Sequence, residues 1–280
     1  MFKEEYMFNK IKNTVKKIDA DEFVGNFSYN TIIFGLVLQL YLIYKESIVK
    51  TNKYIFLFLF LLVSYCLIKY FLSCKQKFVP LLKGKFSLSS IIIIGYLVDL
   101  VSGLVILKLM DFFYGKIEVL NQQLIEKQLT DYPDMANLLF FDSVFSAPLM
   151  EEVIFRGLLL NAILFIGLNL GISKRFLFIV FIIITSLLFG CAHQSNNMLT
   201  FIYFALGGLN LGVIYLMSGN LLAPIIVHFF NNLMVFFDID DLNKIISIFI
   251  ILLLLVILIE YFSKDGKNII KKRFFMPNKK

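Results

Sequence analysis

Charged residues are scarce in this 280-residue sequence, where Asp, Glu, Lys and Arg together make up 17%. A soluble globular domain carries about 25% charged residues, so the composition excludes an ordinary soluble protein. The chain also lacks the interleaved basic and aromatic residues of a soluble nucleic-acid-binding domain, so we expect no nucleic-acid partner. Hydrophobic residues make up 59%, and Phe alone contributes 32. The sequence therefore predicts an all-α, polytopic transmembrane helix bundle.

Cysteine, histidine and tryptophan are also rare. Cys66, Cys74 and Cys191 show no spacing typical of a metal site, and they do not indicate a disulfide framework. The chain contains no HExxH pattern, which excludes an ordinary zincin. Tryptophan is absent, so tyrosine, lysine and arginine must provide the anchors at the membrane interfaces.

The chain does contain apolar stretches long enough to cross a ~30 Å hydrocarbon core, which takes about 20 residues. They predict a bundle of about eight helices, over 27–44, 54–72, 87–108, 139–168, 176–192, 198–217, 221–237 and 245–263. We divide the chain into four parts. They are a basic segment at 1–26 that could fold as an amphipathic helix, transmembrane helices with an acidic outer loop at 27–138, a core at 139–237, and a last helix with a basic tail at 238–280.

Lys and Arg residues are unevenly distributed over the loops between these stretches. Most of them fall on the side that holds both chain ends if the segment at 1–26 is cytoplasmic. The positive-inside rule then predicts a multi-pass cell-membrane protein with both termini in the cytoplasm. The basic tail can also contact anionic membrane lipid. The abundance of Ile, Lys, Asn and Phe is typical of an AT-rich genome and suggests a bacterial plasma membrane.

Three charged residues lie inside one predicted span. The stretch "LMEEVIFRGLL" (149–159) contains Glu151, Glu152 and Arg156, and a charge at the bilayer centre costs about 2.5–3.5 kcal/mol. Glu152 and Arg156 are four residues apart, so they share a helix face and can neutralise each other. Glu151 lies ~100° round the helix, so it must face something other than this arginine.

The two histidines of the chain both lie in or at the edge of spans. His193 ends the fifth span, and His228 shares one face of the seventh span with Asn232, four residues later. Three helices can thus direct a carboxylate, two imidazoles and an amide into one bundle interior. This set suits hydrolysis: Glu151 could act as general base, with His193 holding the water. His228 and Asn232 could then donate hydrogen bonds to an oxyanion.

Two other interpretations of these residues stay open. Glu151, His193 and His228 could form a His₂Glu site for zinc or another divalent metal, with one open position. Alternatively, Glu151, Asp99 and the histidines could line the proton or ion path of a transporter. We see no inverted repeat of the kind that many transporters contain.

The sixth span carries polar and small residues of its own. Asn210 lies within "ALGGLNLG", and Gly208 and Gly212 form a GxxxG pattern. Because such patterns let two helices approach closely, we interpret these residues as helix contacts.

The motifs "EEVIFRG" (151–157), "FGCAH" (189–193) and "HFFNN" (228–232) resemble those of the CPBP family of intramembrane proteases. This group includes CAAX prenyl endoproteases of the Ras-converting type and bacteriocin-processing or Abi proteins. Its pattern is EExxxR, FxxxH and HxxxN on separate transmembrane helices, and here all three are complete and in order over about 140–235. The resemblance implies that water is activated by Glu151 and His193, that the oxyanion is stabilised by His228 and Asn232, and that support comes from Glu152 and Arg156.

The motifs and the resemblance together lead us to expect an intramembrane endopeptidase, either a metalloprotease or a metal-free glutamate protease. Its substrate would be a peptide or a membrane protein, such as a pheromone precursor, a bacteriocin precursor or an anchored protein. The alternative is a binding module that confers bacteriocin immunity or regulates a membrane partner without turnover. A Glu151→Gln substitution separates these two functions.

Overall fold

The computed structural model describes residues 53–74, 81, 86–115, 119–133, 136–236 and 249–254. None of these residues forms a strand, which confirms the all-α prediction. The elements are α1 (Lys53–Cys74), α2 (Leu88–Tyr114), α3 (Leu120–Asp131), α4 (Ala136–Phe141), π1 (Asp142–Ser146), α5 (Ala147–Glu152), π2 (Val153–Leu158), α6 (Leu159–Asn169), α7 (Lys174–Ala192), α8 (Met198–Ser218) and α9 (Leu222–Phe236). The segment at 1–26, the predicted span at 27–44 and most of 238–280 lie outside the described residues, although 249–254 is helical.

Among the described helices, α2, α7 and α8 are long and apolar enough to cross a membrane. They coincide with the spans predicted at 87–108, 176–192 and 198–217. Two shorter apolar helices, Tyr54–Cys66 within α1 and the whole of α9, match the spans predicted at 54–72 and 221–237. The chain is therefore a helical membrane protein.

Polar residues fix where the spanning helices begin and end. The side chains of Ser87, Ser173 and Asn197 each accept a hydrogen bond from the backbone N–H three residues later, at the starts of α2, α7 and α8. Such caps satisfy donors that the first helical turn leaves without partners. Gly219 ends α8 with a φ of 63°, a left-handed conformation that favours glycine.

The span predicted at 139–168 is a continuous helical run in which two π-helical segments flank α5. In π1 the Ala147 N–H donates to the Asp142 carbonyl oxygen, and after π2 the Leu159 N–H donates to the Ile154 carbonyl oxygen. Each of these bonds spans five residues instead of four. π-Helical turns are rare and are frequent at functional sites, and here they enclose the helix that carries both adjacent glutamates.

Helix α3 lies inside the stretch 109–138, where the sequence predicted a loop. The helix is amphipathic, because Leu124, Ile125 and Leu129 are partly buried while Glu126 and Lys127 are exposed. This periodicity is the physical reason for a helix there. Helix α2 also runs to Tyr114, six residues beyond the end of its predicted span.

Helix α8 lies at the centre of the bundle, between α7 and α2. Gly208 allows the contact with α7, since a Cβ atom at this position would lie 2.7 Å from Phe189 Cβ. Gly95 allows the contact with α2 in the same way, because its Cβ would lie 2.5 Å from the Ile214 side chain. The close helix contact predicted for Gly208 and Gly212 is confirmed, and both glycines face α7.

Candidate active site

Glu152 is the centre of a buried polar network between α5, π2 and α9. Its Oε1 accepts from Arg156 Nη1 at 2.8 Å and from His228 Nδ1 at 2.9 Å. The Glu152 and Arg156 side chains are both 0% exposed. The predicted pairing of Glu152 with Arg156 is therefore confirmed, and this carboxylate also orients an imidazole that lies on another helix.

The buried Arg156 side chain contacts three groups, which belong to Glu152, Gly208 and Phe189. Besides its bond to Glu152, its Nη2 donates to the Gly208 carbonyl oxygen at 3.0 Å. Its guanidinium carbon lies 4.6 Å from the ring centroid of Phe189, at the distance of a cation–π contact. Arg156 therefore connects the glutamate helix to α7 and α8 as well as neutralising Glu152.

Glu151 is the accessible carboxylate of the pair. Its side chain is 28% exposed, and its Oε2 lies 4.0 Å from His228 Nε2. This oxygen is buried and has no hydrogen-bond partner among the described residues. A separation of 4.0 Å is too long for a direct hydrogen bond, and two polar atoms at this distance suit a bridging water.

His193 lies at the C-terminal end of α7, as the sequence predicted. Its Nδ1 is 2.8 Å from the Phe189 carbonyl oxygen. Because a carbonyl oxygen only accepts, Nδ1 carries the hydrogen and Nε2 remains available as an acceptor. The ring stacks on Phe204, with centroids 4.3 Å apart, and contacts Phe189 at 4.6 Å. Both the tautomer and the ring plane of His193 are thus fixed.

Phe189 is a site residue whose role sequence analysis missed. Its ring contacts Arg156, His193 and the His228 ring, which lies 5.6 Å away between centroids. It is the first residue of the FxxxH motif and lies four residues before His193, so the spacing placed it on the correct face. Its contact with His228 on α9 is a long-range relationship that spacing does not reveal.

Asn232 is oriented by a backbone oxygen of π1. Its Nδ2 donates to the Ser143 carbonyl oxygen at 2.8 Å. In an α-helix this oxygen would accept from the Ala147 N–H, but that group donates to Asp142 instead. The next residue, Pro148, has no N–H to offer. The Ser143 oxygen is therefore open to Asn232, which keeps a second amide N–H.

The structure brings most of the predicted site residues together. Glu151, Glu152, Arg156 and His228 form one network, and Phe189 connects His193 to it. In the part of the chain that the structure describes, no group of three or more His, Cys, Asp or Glu side chains is placed to hold a metal ion. Glu151, His193 and His228 are thus not placed together as the ligands of one metal ion.

Part of the chain is similar in sequence to known proteins. Residues 133–234 match a family model described as "Type II CAAX prenyl endopeptidase Rce1-like". A relative from Escherichia coli, described as "Uncharacterized 24.3 kDa protein", is 39% identical over 85 residues. That match covers 29% of this chain and 35% of the relative, so the chain spans about a third of the relative's length. No solved structure matches the chain. Over residues 133–234, the resemblance to CPBP-type proteases is confirmed.

Proposed function

We propose that the chain is an intramembrane endopeptidase in which Glu151 activates a water molecule. The observation that carries this proposal is the buried, unpartnered Oε2 of Glu151, 4.0 Å from His228 Nε2, beside a Glu152 whose Oε1 is already bonded to both Arg156 and His228. Of two adjacent carboxylates, one is structural and the other is available to a substrate. The match of residues 133–234 to a family of endopeptidases supports the same reaction class.

The available ring nitrogens assign the other roles. His193 Nε2 is an acceptor in the fixed tautomer, so it can hold the attacking water beside Glu151. His228 offers Nε2 toward Glu151 while its Nδ1 is bound to Glu152. To donate to an oxyanion, His228 must carry hydrogens on both nitrogens. With His228 in that form, the two carboxylates are balanced by one guanidinium and one imidazolium, which suits a low-dielectric interior.

The reaction then proceeds by addition and elimination. Glu151 takes a proton from the water, and the water oxygen forms a bond to the peptide carbonyl carbon. His228 Nε2–H and the second N–H of Asn232 stabilise the oxyanion, and such a donor is worth about 2.7–4 kcal/mol. The carbon–nitrogen bond breaks, and Glu151 returns the proton to the leaving amine. The products are a carboxylic acid and an amine.

The substrate that fits this site is a peptide or a membrane-anchored protein that reaches the bilayer. An internally quenched, S-farnesylated CaaX peptide is the first probe, because the matched family model describes prenyl endopeptidases. Peptides released from bacterial membranes reconstituted with the protein form the second probe, since pheromone and bacteriocin precursors are the alternative substrates.

The test compares wild type with Glu151→Gln in proteoliposomes. Glu126→Gln is the matched control, because Glu126 is an exposed carboxylate on α3. We expect cleavage with wild type and the control and none with Glu151→Gln. Addition of a chelator separates the two mechanisms, since retained cleavage supports a metal-free glutamate mechanism. Identical product profiles for all three proteins would contradict the proposal and favour a binding module for immunity.

A further inference from the structure

Asp99 is a second carboxylate inside the bundle, on α2 and outside the matched segment 133–234. Its Oδ1 accepts from Asn210 Nδ2 on α8 at 3.1 Å, and its Oδ2 accepts from Asn231 Nδ2 on α9. Asn210 Nδ2 also donates to the Gly95 carbonyl oxygen at 2.9 Å. One side chain thus connects three helices, and amide groups rather than a cation satisfy both of its oxygens.

The contact between α2 and α8 does not depend on Asp99. Gly95, Asp99 and Gly103 recur every four residues along one face of α2. A Cβ atom on Gly95 would lie 2.5 Å from Ile214, and one on Gly103 would lie 3.3 Å from Tyr203. The two helices are therefore packed closely on both sides of Asp99. The bond from Asp99 to Asn210 joins helices that small residues already hold together.

The bond from Asp99 to Asn231 has a different consequence, because it reaches the helix that carries His228 and Asn232. Asn231 holds α9 to α2, and the next residue, Asn232, holds α9 to the Ser143 carbonyl oxygen of π1. Two successive residues thus fix α9 from two directions about its own axis. His228 is three residues before Asn231, on the adjacent turn.

A charged group inside a membrane helix is expensive and usually functional. Catalytic groups must be held within about 0.5 Å and 10–20° of their productive geometry. We propose that Asp99 is a positioning residue for the reaction. Through Asn231 it sets the rotation of α9, and so the directions of His228 Nε2 and of the free Asn232 N–H. This inference rests on the proposed function. The contacts of Asp99 with Asn210 and Asn231 are independent of that function.

The kinetic test uses Asp99→Leu, Asp99→Asn, Asn231→Leu and the double variant Asp99→Leu/Asn231→Leu in proteoliposomes with the farnesylated peptide. Ser102→Ala is the control, because the Ser102 hydroxyl donates only to the Asp99 backbone carbonyl within α2. We expect Asp99→Leu to lower kcat about 100-fold, the effect of a misplacement of about 1 Å, while KM changes little. Asp99→Asn should recover most of the rate, because its remaining oxygen can accept from Asn210 while the Asn231 amide turns so that its oxygen accepts from the new N–H. The double variant should be no slower than Asp99→Leu.

A second measurement needs no substrate. The chain contains two histidines, so protein labelled with ¹⁵N only at histidine, and purified without a histidine tag, gives one set of ring signals from His193 and one from His228. His193→Gln assigns them. We expect Asp99→Leu and Asn231→Leu to shift the His228 signals and to leave those of His193 in place. Ser102→Ala should move neither.

The outcomes separate this inference from the proposed function. If Glu151→Gln is inactive while Asp99→Leu cleaves at the wild-type rate with unshifted His228 signals, Asp99 has no positioning role. Loss of thermal stability in Asp99→Leu, with both histidines shifted and no recovery in Asp99→Asn, would show a general structural role and overturn the inference. If Glu151→Gln still cleaves, the proposed function fails. A selective His228 shift in Asp99→Leu would then still support the positioning of α9 by Asp99.

Discussion

The Asn232 side chain and the Ser143 carbonyl oxygen are bonded at 2.8 Å because π1 and Pro148 leave that oxygen without a backbone donor. The π-helical turn moves the Ala147 N–H to Asp142, and proline supplies no N–H of its own. A local irregularity in one helix thereby orients a side chain on another. The same amide keeps a second N–H, which is the donor that the proposed mechanism assigns to the oxyanion.

Replacement of Asn232 by Asp should remove both N–H groups of the amide, the one bonded to the Ser143 oxygen and the second one. We expect kcat to fall by at least about 10²–10³, since the loss of one oxyanion donor alone has an effect of this size, with a smaller change in KM. The measurement is steady-state cleavage of the farnesylated peptide in proteoliposomes. A rise in KM with kcat unchanged would argue that Asn232 contributes to substrate binding rather than to the transition state.

Pro148→Ala should provide a backbone N–H at residue 148. This N–H would compete with the Asn232 amide for the Ser143 carbonyl oxygen. We expect slower cleavage without a loss of stability, because alanine is favoured over proline in a helix interior by about 3 kcal/mol. Pro224→Ala is the matched control, since Pro224 lies in the first turn of α9, where a missing N–H matters little. Both variants are compared by cleavage rate and by thermal denaturation in detergent. Unchanged cleavage by Pro148→Ala would contradict this explanation.

Arg156→Met should destabilise the protein strongly, because it leaves the fully buried Glu152 carboxylate without its counter-charge. Breaking a buried ion pair from one side costs about 3–5 kcal/mol. Adding Glu152→Gln to this variant should recover part of the loss, since no unpaired charge then remains. Thermal denaturation followed by circular dichroism measures both, with the exposed Lys108→Met as control. An equally large loss in the double variant would show that Arg156 acts mainly through Gly208 and Phe189.

Gly208→Ala should displace the ring that Arg156, His193 and His228 share. The new methyl group would lie 2.7 Å from Phe189 Cβ, and overpacking of this kind costs about 1–3 kcal/mol. The neighbouring Gly207→Ala is a close control, because the nearest atom to its Cβ is Asp99 Oδ1 at 4.0 Å, an ordinary contact. We expect Gly208→Ala to lose both stability and cleavage rate and Gly207→Ala to keep both. Equal stability and equal cleavage rates of the two variants would argue that the position of the Phe189 ring does not matter for the site.

Sequence spacing located the site residues well where the relationship is local. The i,i+4 pairing of Glu152 with Arg156 follows from helix geometry and is confirmed at 2.8 Å. The same reasoning left Glu151 facing away from this arginine, and the structure places it toward His228 instead. Spacing did not indicate that His228 also binds Glu152, because that bond joins residues 76 positions apart.

The sequence by itself determined the class of protein and the helices that carry the candidate site. Hydrophobic stretches of sufficient length make membrane helices because a helix satisfies all of its backbone hydrogen-bonding groups within one segment, as the bilayer core requires. Tertiary structure alone decided which groups on different helical segments meet: the Ser143 oxygen with Asn232, Phe189 with Arg156 and His228, and Asp99 with Asn231. These contacts depend on π-helical register and on the rotation of each helix about its axis. Periodicity along one helix cannot fix either of them, because both are set by close packing between helices.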